Sequence, residues 1–170
     1  LKVIGLEEVL CDPHGVAGRL LEAGIYGLTE VDVRVTDREC VILRLTLEPW
    51  AQMAELGYPT ERVSVLVQKS GWICAVPLDQ GRIWAHRYGP PLRELCLWFP
   101  EDSLSLRWTW DQGLVSYVRI VHRHLQAEEC WRRHGFWPAE DAPHGAGPHA
   151  VQSLELREAV SGGSRSWTSS

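Results

Sequence analysis

The chain has 170 residues, 45% hydrophobic and 23% charged, enough for one domain with a substantial core. A net charge of −5 and only two lysines argue against a nucleic-acid footprint, which needs clustered basic residues, and no run of about 18 apolar residues exists to span a bilayer as a helix. The five cysteines, Cys11, Cys40, Cys74, Cys96 and Cys130, are widely spread with no CxxC pair and no signal-like segment ahead of them, so we expect a reduced, cytoplasmic setting. The chain begins at Leu1 without a methionine, from which we expect a processed start.

Val3 to Leu10 reads as either a helical turn or a short strand. Asp12-Pro13 then opens a helix, with Asp12 as the cap and Pro13 in the first position. Val16, Leu20, Leu21 and Ile25 form its apolar face, and Gly24, Gly27 and Thr29 end it. The strict alternation of Val31, Val33 and Val35 predicts a half-buried strand. Cys40 to Leu47 (CVILRLTL) predicts a second, making a hairpin across the turn at 36–39. One helical turn is expected over Trp50 to Leu56 in the following loop. Arg62 to Gln68 and Trp72 to Leu78 are the third and fourth strands, separated by the breaker Ser70-Gly71. Cys40 and Cys74 are expected in the core.

The stretch Ile83 to Pro100 (IWAHRYGPPLRELCLWFP) follows. Gly89-Pro90-Pro91 forces a bend between two strand-like halves and delivers Cys96 ten residues after His86. A thiol held by packing beside an imidazole can be a nucleophile, and His86, Arg87 and Arg93 are residue types that favour a thiolate. The competing expectation is that Cys96 is one more buried small apolar residue. Leu104, Leu106, Trp108 and Trp110 alternate as a short strand, an extended gate or a loop. Asp111 is the expected cap of a helix from Leu114 to Arg133, whose face is Leu114, Tyr117, Val118, Val121, Leu125 and Trp131 and which Gly135 ends. The aromatics of Phe136 to Gly145 are expected to tuck onto the core. We read residues 1–150 as the domain and 151–170 as an extension, with a short helix over Val151 to Val160 and a disordered SGGSRSWTSS tail.

The His86 to Cys96-Leu97 spacing resembles the active-site segment of the ubiquitin-conjugating enzyme fold, where a His-Pro-Asn motif lies ten residues before a catalytic Cys-Leu and a Trp-containing loop follows. Trp108 or Trp110 stands for that tryptophan, farther from the cysteine than in the eukaryotic enzymes. His86-x-Tyr88, Leu95-Cys96-Leu97-Trp98-x-Pro100, a helix carrying Glu128 and Trp131, then Gly135-x-Trp137-Pro138 and His144 look more like the bacterial members, encoded beside ubiquitin-like or nucleotidyltransferase genes in antiphage operons. The likeness covers roughly 29–145. It implies an α+β fold with an N-terminal helix, a four-stranded antiparallel meander, an active-site segment and a long C-terminal helix.

The same resemblance implies a bacterial transferase of a ubiquitin-like conjugation pathway serving antiviral defence. Cys96 would accept the C-terminal acyl group of a ubiquitin-like protein from an adenylating enzyme as a thioester and pass it to an amine of a target. A deconjugating metalloprotease belongs to such pathways, and no bound cofactor is implied because ATP is spent upstream. His86 would brace the turn or relay a proton. Tyr88 stands where the family has its oxyanion-stabilising Asn, so its hydroxyl or a backbone amide takes that task. His144 would fold over the thioester. Four alternatives stay open: a conjugating enzyme acting on a nucleotidyltransferase carboxy terminus, a Cys-His hydrolase of conjugates with His86 or His144 as base, an inactive binding module, and a zinc site of Cys130, His134 and His144.

Overall fold

A computed structural model of the chain describes residues 3–36, 40–98 and 107–138. The opening helical segment divides in two at Asp12. Helix α1 (Leu6–Cys11) settles the helix-or-strand choice over Val3 to Leu10, and the Glu8 carboxylate reaches back to the Gly5 amide at its start. Asp12 accepts from the Gly15 amide at 3.0 Å and Pro13 occupies the first position of α2 (Pro13–Glu22), as the Asp-Pro pair predicts. Val16 and Leu20 are buried, but Leu21, one position farther round, turns to solvent.

Four strands follow as an antiparallel meander in the order β1-β2-β3-β4: β1 (Leu28–Val35), β2 (Cys40–Leu47), β3 (Glu61–Gln68) and β4 (Ile73–Pro77). A short helix α3 (Ala51–Glu55) sits between β2 and β3. Residues one apart on a strand face opposite ways, and here both faces carry apolar groups. Val41, Leu43, Leu45 and Leu47 of β2 join Val63, Val65 and Val67 of β3 in the main core, under α1, α2 and α4 (Gly113–His134). Cys40, Ile42, Leu66, Cys74 and Val76 look the other way and make a smaller cluster closed by Leu92 and Trp72. Double coverage explains why CVIL does not alternate: a strand buried on both faces reads as a continuous apolar run. Cys40 and Cys74 are core residues of that second cluster.

Leu114, Tyr117, Val118, Val121 and Leu125 of α4 are fully buried, and Gly135 closes the helix in the left-handed region at φ 74°. Three expectations are corrected. Asp111 does not cap α4: it lies in a 3-10 turn (Trp110–Gln112), its carboxylate takes the Thr109 hydroxyl, and Gln112 precedes the helix without a side-chain cap. Phe136 does not tuck in but stays 58% exposed, whereas Trp137 does pack inward. Trp131 is only partly buried. The expectations for residues 139–170, including His144 and the 151–170 extension, fall outside the described residues. Among the described residues no helix is long and apolar enough to cross a membrane.

Candidate functional site

The segment after β4 folds as a short hairpin on the sheet edge. Arg87 and Leu95 form a single antiparallel bridge, flanked by Tyr88 N–H to the Glu94 carbonyl and Cys96 N–H to the His86 carbonyl, each 2.9 Å. His86 and Cys96 therefore stand opposite one another on the two arms, and Tyr88 stands opposite Glu94. The loop 89–93 contains a cis Pro90–Pro91 peptide bond, and Arg93 is held at φ 59°. Prolines have no N–H to extend the ladder, so one bridge forms in place of two full strands. Leu95 N–H donates to the Ala75 carbonyl at 2.8 Å, fastening the Cys96 arm to β4.

A buried carboxylate holds the other arm. Glu128, on the inward face of α4, accepts the Ala85 amide at 2.9 Å and the His86 amide at 2.7 Å. His124, one helical turn earlier, directs Nε2 at both the His86 carbonyl (3.3 Å) and the Glu128 carboxylate (3.5 Å); both are acceptors, so Nε2 carries the proton. Burial alone would raise the Glu128 pKa, but the bond from His124 and those from the two amides outweigh it and hold the group below the usual carboxylate range. The His86 ring stacks on Trp137 with centroids 3.8 Å apart. Clamped through its backbone and stacked through its ring, His86 has the geometry of a brace. Arg87 donates to the Gln80 side chain, and Arg93 is exposed.

Cys96 keeps 7% of its surface accessible, less than a nucleophile placed just past a bend was expected to show. Unlike Cys40 and Cys74, it belongs to neither apolar cluster. Its sulfur lies 3.7 Å from the Trp98 carbonyl, and the Tyr88 hydroxyl reaches the same oxygen at 3.4 Å. An S–H and an O–H can both donate to one carbonyl, which has two lone pairs, so this geometry suits a resting thiol beside a phenol. Thiol and phenol thus meet at one atom of the chain.

Beside the hairpin opens a cavity of about 340 Å³ whose walls include Tyr88, Glu94 and Trp98 of the hairpin, Trp108 and Trp110, and Tyr117 of α4. Sequence reasoning singled out Cys96, His86 and Tyr88, which the hairpin brings together, and expected Glu128 near them. It missed His124 and Glu94. The i, i+4 spacing of His124 and Glu128 was a usable signal, as was an acidic residue inside the apolar run around Cys96. His144 lies outside the described residues, so the zinc set that includes it is not assembled here; Cys130 lies against the Tyr58 hydroxyl. Among the described residues, no group of three or more His, Cys, Asp or Glu side chains is placed to hold a metal. Comparison with protein-family models, with curated proteins and with solved structures found no match.

Proposed function

We propose that the chain has a ubiquitin-conjugating type of fold and acts in the cytoplasm as an acyl carrier of a bacterial conjugation pathway. Cys96 attacks the thioester formed between an adenylating enzyme and the C-terminus of a ubiquitin-like protein. A new carbon–sulfur bond forms, the donor thiol leaves with the proton that Cys96 gives up, and an amine of the target later displaces Cys96 to make an amide. Thiol exchange of this kind is nearly isoenergetic, while the thioester remains reactive to amines. The observation that carries the reading is the hairpin itself: His86 and Cys96 opposed across a bend, fixed at one arm by Glu128 and at the other by β4, with the Tyr88 hydroxyl at the same carbonyl as the sulfur. Tyr88 is then a candidate oxyanion donor once the acyl group displaces it from the Trp98 carbonyl.

The test is incubation with a candidate activating enzyme, a candidate modifier and ATP. We expect an adduct that thiol reductant removes, and Cys96→Ser should turn it into a reductant-resistant ester or abolish it. An adduct that survives Cys96→Ser with its reductant sensitivity intact would place the chemistry on another cysteine. The small accessible surface at Cys96 favours a second reading, a binding module of the same pathway, for which partner affinity without any adduct is the expected result.

A further inference from the structure

Strand β1 lies at one edge of the sheet: β2 pairs with one of its sides, and among the described residues no strand or isolated bridge pairs with the other. The hairpin's own hydrogen bonds tell which backbone groups face outward. The Thr36 amide donates to the Cys40 carbonyl at 2.9 Å, and opposite residues of an antiparallel pair alternate between bonded and non-bonded. Along the unbroken register from Val35–Val41 back to Glu30–Thr46, the amides and carbonyls of Arg34, Asp32 and Glu30 therefore point at β2, and those of Val35, Val33 and Val31 point away from it. Such an edge is a template for another strand unless something blunts it. The register shift between Leu28 and Glu30 blunts only its start, and from Glu30 to Val35 the strand contains no proline, glycine or lysine.

The side chains select the partner. Val31, Val33 and Val35 share the face that carries the main core, the first two partly buried and Val35 54% exposed. Asp32 and Arg34 project from the opposite face, where β2 sets Arg44 and Ile42 across from them. Among the described residues neither the Asp32 nor the Arg34 side chain has an ion pair or a hydrogen bond. A second, antiparallel copy of β1 bonds this edge only where outward residues meet outward residues, which leaves a few symmetric registers. Centred on Asp32, the pairing sets two aspartates face to face; centred on Arg34, two arginines; centred on Val31, Glu30 against Asp32. Like charges directly opposite are unfavourable. Centred on Val33, it has no like pair and sets Asp32 of each copy against Arg34 of the other.

We infer that β1 is the seam of a twofold homodimer, paired antiparallel with a second copy of this chain about Val33. Val33 exchanges both backbone bonds with its own counterpart, and Val31 exchanges both with Val35 of the partner copy. A row of β-branched pairs covers one face of the seam, Val35 included, and two Asp32–Arg34 pairs cover the other. The twofold uses each edge once, so the assembly closes at two copies. The Cys96 hairpin is fastened to β4 through the Leu95 amide, at the far edge of the sheet, so the two hairpins lie at opposite ends of the joined sheet. The dimer does not depend on the acyl-transfer reading.

Sedimentation equilibrium of the full chain tests it. A seam of one strand pair is at the small end of stable interfaces, so the expected dissociation constant is on the order of 10 µM. Asp32→Arg and Arg34→Asp each set like charges across the seam twice and should weaken self-association about tenfold or more. An equimolar mixture of the two variants has opposite charges at every such pair and should dimerise as tightly as wild type. Amide exchange of wild type reads the register directly: raising the concentration should slow Val31, Val33 and Val35 about tenfold and leave Asp32 and Arg34, already bonded to β2, unchanged. That pattern decides the matter on wild type alone if circular dichroism shows either variant misfolded. A wild-type chain that stays monomeric at about 200 µM leaves the edge to an extended segment of another protein and overturns the proposal. So does a dimer that both charge variants keep, or a mixture no tighter than either variant alone. Cys96→Ser should dimerise as wild type, and loss of adduct formation with the dimer intact would remove the acyl-transfer reading alone.

Discussion

Arg93 is the one non-glycine residue at positive φ among the described residues, at 59°, and it sits three residues before Cys96. A side chain there crowds its own backbone by about 1–2 kcal/mol relative to the ordinary regions. Nothing about its exposed position repays that cost through burial. Its charge adds a second cost, since burial and then the neighbouring Arg93 lower the Arg87 pKa, a sign that the two guanidiniums repel. The backbone nevertheless has to turn at this residue so that the Glu94 carbonyl meets the Tyr88 amide and Cys96 arrives opposite His86. Glycine accepts this φ freely but loses more freedom on folding, so we expect Arg93→Gly to stabilise the chain by about 0.5–1 kcal/mol. Arg93→Ala, which relieves the repulsion and keeps the strain, should gain less. Urea unfolding of the two variants checks the order, and a loss on Arg93→Gly would mean that the arginine side chain holds the loop through a contact of its own.

At the scale of elements, α4 and the hairpin form one unit through Glu128. Replacing it by glutamine keeps the shape but turns one acceptor into a donor that faces a buried backbone N–H. Because hydrogen bonds to charged groups are worth about 1.5–3 kcal/mol, Glu128→Gln should destabilise the chain by about 2–3 kcal/mol and speed hydrogen exchange at Ala85, His86 and Cys96. The pH dependence follows from the direction of the shift. Glu128 titrates below its ordinary value of 4.5 when folded, so its stabilisation is complete above that pH and is lost as pH falls through the folded value. Glu61 works in the opposite sense, since burial raises its carboxyl despite Arg82 and Arg132. The difference between wild type and Glu128→Gln, and not either curve alone, should therefore shrink in acid below about pH 4.5. These elements were legible to different degrees. The alternation of β1, the continuous apolar runs of β2 to β4 and the 3.6-spacing of α4 exposed these elements, because each pattern records which faces meet a core. The Gly-Pro-Pro bend announced the hairpin and the facing of His86 and Cys96. The clamp was not legible, because a buried Glu and a solvated Glu look alike until the amides it serves, some forty residues earlier, are brought to it. The same holds for the cavity, whose walls come from four separate stretches of chain.

At the scale of the whole molecule, the entry to β1 and the exit of β2 meet α4 at one tight crossing. The Glu48 amide donates to the Gly27 carbonyl at 2.7 Å, and His122 of α4 donates from Nε2 to the Glu48 carbonyl at 2.8 Å. Gly27 sits at φ 74°, and a β-carbon there would fall 2.3 Å from the Glu48 oxygen, so only glycine lets the entry to β1 pass the exit of β2 this closely. Trp50 packs its ring edge to face against the His122 imidazole with centroids 5.9 Å apart, so the same junction ties the chain just past β2 to α4. Burial lowers the His122 pKa from its ordinary 6.5, and the Glu48 bond recovers only part of that shift. A histidine that protonates less readily when folded leaves the unfolded chain with more bound protons. Its stabilisation is thus full above about pH 6.5 and is lost as pH falls toward the lowered folded value. The acid window of His122 lies above that of Glu128, so the two can be read separately. His122→Gln keeps an N–H donor for the Glu48 carbonyl but has no proton to gain. We expect the variant to cost about 1 kcal/mol at pH 7.5 and to flatten the fall in unfolding midpoint that wild type shows on going from pH 6.5 toward 5. A variant that follows the wild-type slope through that interval would assign the pH dependence to another group and leave His122 as a packing residue alone.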